Sequence, residues 1–145
     1  MRICRSLVAV YALMVFAMAC RAGEAPLAVT GATTVSVLEA RYLYEQGAIF
    51  VDVRSREDWQ AGHIRGAVHL DFRNDFQLLQ SITSIKADTP LVLYCESRHC
   101  LRSAYASLVS VLWGYRQVYY FRDGYFAWML EDYPLTFESV ARAPD

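Results

Sequence analysis

The sequence lacks any run of basic residues. Its 145 residues contain 14 Lys and Arg against 15 Asp and Glu, which gives a formal net charge of -1. Nucleic-acid binding needs a concentrated basic face to meet phosphates, so we expect no nucleic-acid partner. At 55% hydrophobic and 20% charged residues the chain also differs from a disordered polyelectrolyte. One compact domain is the expectation.

Metal-binding residues are also scarce. The chain has only 4 Cys and 3 His, and none of them follows the spacing of a structural zinc site. A domain of this size can bury a sufficient core without a metal or a disulfide. The sequence therefore predicts no metal and no cofactor.

No uncharged run is long enough for an ordinary membrane-spanning helix. A basic start, residues 1–5, precedes an uncharged run over residues 6–20, which is shorter than the roughly twenty residues that span a bilayer. This pattern is typical of an export signal, with cleavage after Ala19 or Ala22. The residues up to Cys20 resemble a bacterial lipobox, which would make Cys20 a lipidation site. Simple cleavage, lipidation and an uncleaved anchor stay open, and each predicts export to the bacterial periplasm or to the periplasmic face of a membrane.

The rest of the chain predicts a single α/β domain. We assign residues 1–19 to the signal peptide, 20–33 to a tether, 34–137 to the domain and 138–145 to a C-terminal tail. A capping box at Ser36 and Glu39 begins a helix that ends at Gly47. Apolar, β-branched runs at 48–53, 91–94 and 118–121 predict buried strands. They alternate with helical patterns, which favours a parallel sheet with helices on both faces.

Cys95 stands directly after the predicted strand 91–94 and before a predicted helix. Ligands of open α/β sheets bind outside the carboxyl ends of strands, and the start of a helix favours an anion. A thiol at this position is therefore expected to ionise easily and act as a nucleophile. The alternative is that Cys95 is a small buried hydrophobic residue that ends a strand.

Several motifs in order resemble the rhodanese family. They are Asp52-Val53-Arg54, Asp58-Trp59, the segment 62–70 that begins Gly62-His63-Ile64, the strand that ends at Cys95, Arg102-Ser103-Ala104, and a closing segment with Gly114-Tyr115, Gly124 and Trp128. The resemblance implies an α/β fold with a five-stranded parallel sheet and helices on both faces. It also implies a cysteine nucleophile, Cys95, that carries sulfane sulfur as a persulfide.

The loop after Cys95 departs from the family pattern. The usual loop is similar to C-x-x-G-x-R-S, whereas this chain has C-E-S-R-H-C-L-R-S, which is two residues longer and places Arg98 where the glycine would stand. A phosphatase is disfavoured because Arg102 lies seven positions after Cys95 and Glu96 would repel a phosphate. The extra thiol, Cys100, could resolve a Cys95 persulfide by forming a disulfide.

The predicted function is transfer of sulfane sulfur from a thiosulfate-, persulfide- or polysulfide-type donor through Cys95. The partners are a small sulfur-containing anion and a thiol or other nucleophilic acceptor, with a membrane only through an N-terminal lipid or an uncleaved signal. Cys95 and Cys100 are the catalytic candidates, and the substrate-binding loop comprises Glu96, Ser97, Arg98, His99, Leu101, Arg102 and Ser103. A structural network of Asp52, Arg54, Asp58 and His63 is expected to brace the loops. The alternatives are a thiol-disulfide oxidoreductase that uses both cysteines and a non-catalytic binding module.

Overall fold

The computed structural model describes residues 23–138. The strands are β1 (Thr33–Thr34), β2 (Ile49–Asp52), β3 (His63–Ile64), β4 (Val68–His69), β5 (Leu91–Tyr94), β6 (Val118–Phe121) and β7 (Leu135–Thr136). The helices are α1 (Val37–Glu45), α2 (Arg56–Ala61), α3 (Arg102–Leu112) and α4 (Gly124–Leu130), with a 3₁₀ helix, η1, at Phe76–Ser81. Within this part of the chain, no helix has the length and hydropathy needed to cross a membrane. The predicted signal peptide, Cys20 and residues 139–145 lie outside the described residues.

Five strands form one parallel sheet in the order β1-β6-β5-β2-β4. Val51 of β2 is in register with Leu93 of β5, and Leu93 is in register with Tyr120 of β6. The remaining strands, β3 and β7, pair antiparallel in a small second sheet. The predicted α/β fold with a five-stranded parallel sheet is confirmed.

The central strand β5 is buried on both faces, as its uninterrupted apolar sequence predicts. Because side chains alternate along a strand, Val92 and Tyr94 point to the face covered by α1 and α4, where Trp128 is fully buried. Leu91 and Leu93 point to the opposite face, which η1 and α3 cover. This two-sided packing holds the end of β5, and therefore Cys95, in the middle of the fold.

Helix α1 begins where the sequence predicts. The Ser36 backbone N–H donates to Glu39 Oε2 at 2.7 Å, and the Ser36 hydroxyl accepts from the Glu39 backbone N–H at 3.3 Å. These two bonds satisfy donors that the first turn of a helix leaves without intrahelical partners. Gly47, which follows the helix, has a φ of 82°, the left-handed conformation that ends many helices.

The segment from Gly23 to the start of β1 packs on the domain, although it falls within the predicted tether 20–33. The Ala25 backbone N–H donates to Arg98 O at 2.8 Å, and Ala25 O accepts from Arg122 Nε at 3.0 Å. Val29 is buried against Ala104 and Tyr120. The packed structure therefore starts before residue 34, because these small apolar residues cover the end of the sheet and the start of α3.

Candidate active site

Cys95 lies at the carboxyl end of β5, where α4 holds its backbone. The Tyr125 N–H donates to Cys95 O at 2.8 Å, and the Phe126 N–H donates to Glu96 O at 3.0 Å. Free N–H groups at the start of a helix commonly need such acceptors. The first turn of α4 thereby fixes the peptide that follows the candidate nucleophile.

Gly124 makes this close approach of α4 to Cys95 feasible. It has a φ of 65°, and a Cβ at this position would lie 2.4 Å from Cys95 O. Both the backbone conformation and the available space require glycine here. Gly124 was not among the predicted site residues, although it belongs to the closing segment of the family-like pattern, which was the available signal.

Cys95 and Cys100 form a disulfide, with their Cα atoms 6.2 Å apart. The Cys100 N–H donates to Ser97 O at 3.0 Å, so a turn folds the loop back on itself and brings the second cysteine over the first. Both residues are buried, with exposed fractions of 1% for Cys95 and 8% for Cys100. The two predicted catalytic residues are in direct covalent contact.

The charged loop residues point in different directions. A carboxylate oxygen of Glu96, Oε2, lies 2.6 Å from Cys95 Sγ, and Arg102 pairs with Glu96 at 3.3 Å. Arg98 instead pairs with Asp123, just before α4, at 3.3 Å. Arg102 therefore stays near the sulfurs, whereas Arg98 helps to tie the loop to α4. Asp123 has no counterpart among the predicted site residues.

The remaining loop residues have separate positions. The Ser97 hydroxyl accepts from the His99 N–H at 3.3 Å, which supports the same turn. Ser103 is buried, and its hydroxyl has no hydrogen-bond partner among the described residues. Leu101 is exposed at the start of α3, where it provides no side-chain hydrogen bond to the first turn.

An open pocket of about 450 Å³ adjoins the disulfide on the Cys100 side. It is lined by Phe72, Arg73, His99, Cys100, Leu101, Arg102 and Tyr105. The aromatic residues and Arg73 come from outside the predicted loop, and no local sequence signal places them beside it. Three of the lining side chains are basic in type, so the pocket favours an anion.

Two residues of the predicted bracing network, Asp52 and Arg54, form a buried ion pair, and Asp52 is in register with Tyr94 at the end of β5. Arg54 donates to Asp52 Oδ2 at 2.6 Å and to Gly62 O at 2.7 Å. Burial lowers the pKa of Arg54, but the hydrogen bond and the charge of Asp52 outweigh burial, so its pKa is raised. The Arg54 guanidinium also lies 4.2 Å from the centre of the Tyr125 ring. The pair thus links β2 to α4, the helix that clamps Cys95.

The other two members of that predicted network are placed differently. Asp58 accepts from the Ser55 hydroxyl at 2.8 Å at the start of α2. His63 stacks on Trp59, with ring centres 3.4 Å apart. Neither side chain is hydrogen-bonded to Asp52 or Arg54 among the described residues. The charge of Asp58 nevertheless contributes to the raised pKa of Arg54, so Asp58 is coupled to the ion pair by charge rather than by a hydrogen bond.

Cys95, Glu96 and Cys100 bring two sulfurs and a carboxylate oxygen within 4.8 Å of one another. The sulfurs are joined in a disulfide, whereas a cysteine binds a metal as its free thiolate. The arrangement in this oxidised form suits thiol-disulfide and sulfur-transfer chemistry instead.

Comparisons with known proteins identify the family. The rhodanese-like domain family model matches residues 35–131. The thiosulfate sulfurtransferase GlpE of Pseudomonas fluorescens (strain SBW25) is 37% identical over 89 residues, which are 61% of this chain and 77% of that protein. The GlpE of Pseudomonas savastanoi pv. phaseolicola is 37% identical over 90 residues, covering 62% of this chain and 80% of that protein.

Solved structures share the fold. The human single-domain sulfurtransferase TSTD1 has a TM-score of 0.58 and 28% identity, over 69% of this chain and 97% of that one. The polysulfide-sulfur transferase homodimer of Wolinella succinogenes has a TM-score of 0.60 and 19% identity, over 79% of this chain and 85% of that one. With its parallel sheet, its cysteine at the end of β5 and the match over residues 35–131, this chain belongs to the rhodanese-like domain family.

Proposed function

We propose that this chain is a sulfurtransferase that moves sulfane sulfur from a thiosulfate-, persulfide- or polysulfide-type donor to a nucleophilic acceptor, through a persulfide on Cys95. The observation that carries the proposal is the position of Cys95 at the carboxyl end of β5, in a loop clamped by α4. Relatives named thiosulfate sulfurtransferase and a fold neighbour named polysulfide-sulfur transferase support the donor class.

The first step starts from the reduced protein. The Cys95 thiol gives its proton to Glu96, whose Oε2 lies 2.6 Å from Sγ in the oxidised form, and Arg102, which pairs with Glu96, offsets the negative charge that is now on the thiolate. The thiolate attacks the sulfane sulfur, and the bond between that sulfur and the rest of the donor breaks. The bonding electrons leave with the rest of the donor, which is sulfite when the donor is thiosulfate.

The second step uses Cys100 or an external thiol. The Cys100 thiolate attacks Sγ of the Cys95 persulfide, the outer sulfur leaves as hydrosulfide, and a Cys95–Cys100 disulfide forms. Two thiols of a reductant are then oxidised to a disulfide to restore the enzyme. The bonded pair supports this step, because the turn at Ser97 already brings the two sulfurs together.

We also propose that the enzyme works after export. The basic start and the uncharged run over residues 6–20 support an export signal. A bonded cysteine pair fits an oxidising compartment such as the bacterial periplasm. Fusion of residues 1–22 to a reporter that is active only outside the cytoplasm tests this proposal, and a reporter that stays cytoplasmic and inactive would contradict it.

Product release by two matched variants tests the chemistry. We expect Cys95→Ser to abolish sulfite release from thiosulfate. Without an external thiol, both the wild type and Cys100→Ser should release one sulfite per protein, but only the wild type should also release hydrosulfide, because the persulfide of Cys100→Ser has no internal resolving thiol. Sulfite release by Cys95→Ser would overturn the persulfide route. Hydrosulfide release by Cys100→Ser without an external thiol would overturn the resolving role.

A thiol-disulfide oxidoreductase is the second candidate, and the disulfide itself favours it. Such an enzyme needs both cysteines and no sulfur donor. Catalytic oxidation of a dithiol by the oxidised protein, with no sulfite produced when thiosulfate is supplied, would place this function first. Sulfite release that depends only on Cys95 would exclude it as the main activity.

A further inference from the structure

The two sulfurs of the disulfide have different surroundings. Cys100 lines the open pocket of about 450 Å³, and Cys95 is not among its lining residues. The exposed fraction is 8% for Cys100 and 1% for Cys95. A molecule that enters the pocket therefore meets Cys100 first.

The charges around the two sulfurs also differ in sign. On the pocket side, Arg73, His99 and Arg102 surround Cys100. Among the described residues Arg73 makes no ion pair, while Arg102 is partly neutralised by Glu96 at 3.3 Å. Helix α3 also starts directly after Cys100 and Leu101, and the positive end of its dipole adds to the attraction of an anion.

On the other side, the carboxylate of Glu96 lies 2.6 Å from Cys95 Sγ. In the oxidised protein Cys95 has no proton to give to Glu96, so an anion that approached Cys95 would meet this negative charge at short range, and Coulomb repulsion opposes such an approach. The same anion at Cys100 would meet cationic side chains. Charge and access therefore both favour attack by an anion on the sulfur of Cys100.

We propose that the disulfide is opened at Cys100 by a small thiol that carries a second anionic group, such as a sulfonate or a carboxylate. This inference rests on the proposed function, in which the disulfide closes each cycle. The thiolate attacks Cys100 Sγ, the Cys95–Cys100 bond breaks, and its electron pair leaves on Cys95 Sγ as a thiolate, while a mixed disulfide forms on Cys100. A second thiol then attacks the thiol-derived sulfur of the mixed disulfide, which releases a small disulfide and frees Cys100.

Arg73 would bind the second anionic group. It comes from the segment after β4, outside the loop that carries the cysteines, and its backbone is held by a hydrogen bond from its N–H to Asp71 Oδ1 at 2.9 Å. Phe72 and Tyr105 form the apolar wall beside it, with ring centres 6.2 Å apart. The pocket thus offers a cation for the anionic group, an apolar wall for the carbon chain and a sulfur for the thiolate.

The test compares two thiols that differ in one group. Oxidised protein, with no sulfur donor present, reacts with 2-mercaptoethanesulfonate or with 2-mercaptoethanol and is quenched with iodoacetamide. Trypsin cleaves after Arg98 and so separates the two cysteines, into peptides 87–98 and 99–102. We expect the mixed disulfide on Cys100 and the alkyl group on Cys95. An adduct on Cys95 would overturn the proposal.

The rates test the anion site. The rate constants are corrected for the thiolate concentration of each thiol and for its rate with a small reference disulfide. After this correction, the sulfonate thiol should react about fivefold faster with the protein than the hydroxyl thiol. Arg73→Ala should remove most of this preference, and Arg73→Lys should keep it. The matched control is Arg116→Ala, which removes an exposed arginine paired with Asp88 before β6, at the opposite end of the sheet from Cys95. Equal rates for the two thiols, or a preference that survives Arg73→Ala, would overturn the proposal.

This experiment separates the inference from the proposed function. It uses no sulfur donor, so a protein that takes no sulfur from thiosulfate can still show attack at Cys100. Conversely, a protein that forms a Cys95 persulfide can still fail to prefer the anionic thiol. Near-ultraviolet circular dichroism of each variant confirms that the oxidised fold is intact before rates are compared.

Discussion

Replacing Gly124 with alanine should damage both stability and sulfur transfer. The substitution places a residue with a Cβ at a φ of 65° and brings that Cβ to 2.4 Å from Cys95 O. The peptide it would push carries the nucleophile and also accepts the hydrogen bonds from the first turn of α4. The strain cannot be relieved by rotating a side chain, because the contacted atoms are backbone.

Gly47→Ala provides the matched control. Gly47 has a φ of 82°, and a Cβ there would meet nothing within 4 Å. This variant therefore bears only the cost of a left-handed residue, about 1 kcal/mol. Gly124→Ala bears the same cost plus overpacking of about 1–3 kcal/mol, which gives about 2–4 kcal/mol in total. Thermal midpoints should fall by about 4 °C for Gly47→Ala and about 8–16 °C for Gly124→Ala.

The assay pairs urea unfolding with the rate of sulfite release from thiosulfate. Gly47→Ala should keep the wild-type rate, since Gly47 lies at the end of α1, whereas Gly124→Ala should lose about tenfold or more because Cys95 is displaced. Equal free energies of unfolding and equal rates for the two variants would refute the reasoning that α4 positions Cys95 through Gly124. A loss of stability in Gly124→Ala without a loss of rate would refute only the link from that clamp to catalysis.

Three further predictions concern charged groups. Arg54→Ala should lower the free energy of unfolding by about 3–5 kcal/mol, because it leaves the carboxylate of Asp52 buried without its partner. In urea unfolding, adding Asp52→Asn to this variant should recover part of the loss. A loss below about 1 kcal/mol for Arg54→Ala would contradict the prediction. Hydrogen bonds from the backbone and side chain of Ser36 lower the pKa of Glu39 from its ordinary value of 4.5. Ionised Glu39 therefore stabilises the folded protein fully above pH 4.5, and this stabilisation is lost as the pH falls through the lower pKa of the folded state. The stability gap between wild type and Glu39→Gln should therefore shrink over that range, and a gap that widens on acidification would show the opposite sign. Glu96→Gln should slow alkylation of reduced Cys95 by iodoacetamide at neutral pH by about threefold to tenfold, since it removes the carboxylate that accepts the proton of the thiol; faster alkylation would instead show that the charge of Glu96 opposes the thiolate.

The sequence predicts the long elements of the fold because their signals are local. The strands at 91–94 and 118–121 match β5 and β6, and the capping box places the start of α1. Short elements are less visible, since two-residue strands such as β4 carry no periodicity. Helix α2 also has a local signal, because the Ser55 hydroxyl accepts from the Asp58 N–H at 3.2 Å, as serine commonly does at the start of a helix.

The candidate site is predictable where it lies in one continuous loop. Cys95, Cys100 and the loop between them follow from the strand that precedes them and from the family-like motifs. Arg73 could not be assigned to the site in this way, because only the tertiary fold brings it beside the loop. Gly124 belongs to the family-like closing segment, but only the tertiary fold shows its close approach to Cys95 O. The sequence also cannot show that Arg98 turns toward Asp123 while Arg102 stays near the sulfurs.

The segment before β1 illustrates the same limit. Small residues with Pro and Gly and no periodicity indicate a tether, and nothing local shows that Ala25 will bond to the loop through Arg98 O. The burial of Val29 depends on Ala104 and Tyr120, which are distant in sequence. Irregular segments are predicted poorly because their partners, rather than their own pattern, determine whether they pack.

The most direct test of the central claim is the mass of the reduced Cys100→Ser protein after exposure to thiosulfate. With tryptic mapping, the account predicts a gain of one sulfur atom on the peptide 87–98, which contains Cys95, and no such gain in the Cys95→Ser protein. An unchanged mass on that peptide, or sulfur found on another residue of the chain, would contradict transfer through a Cys95 persulfide.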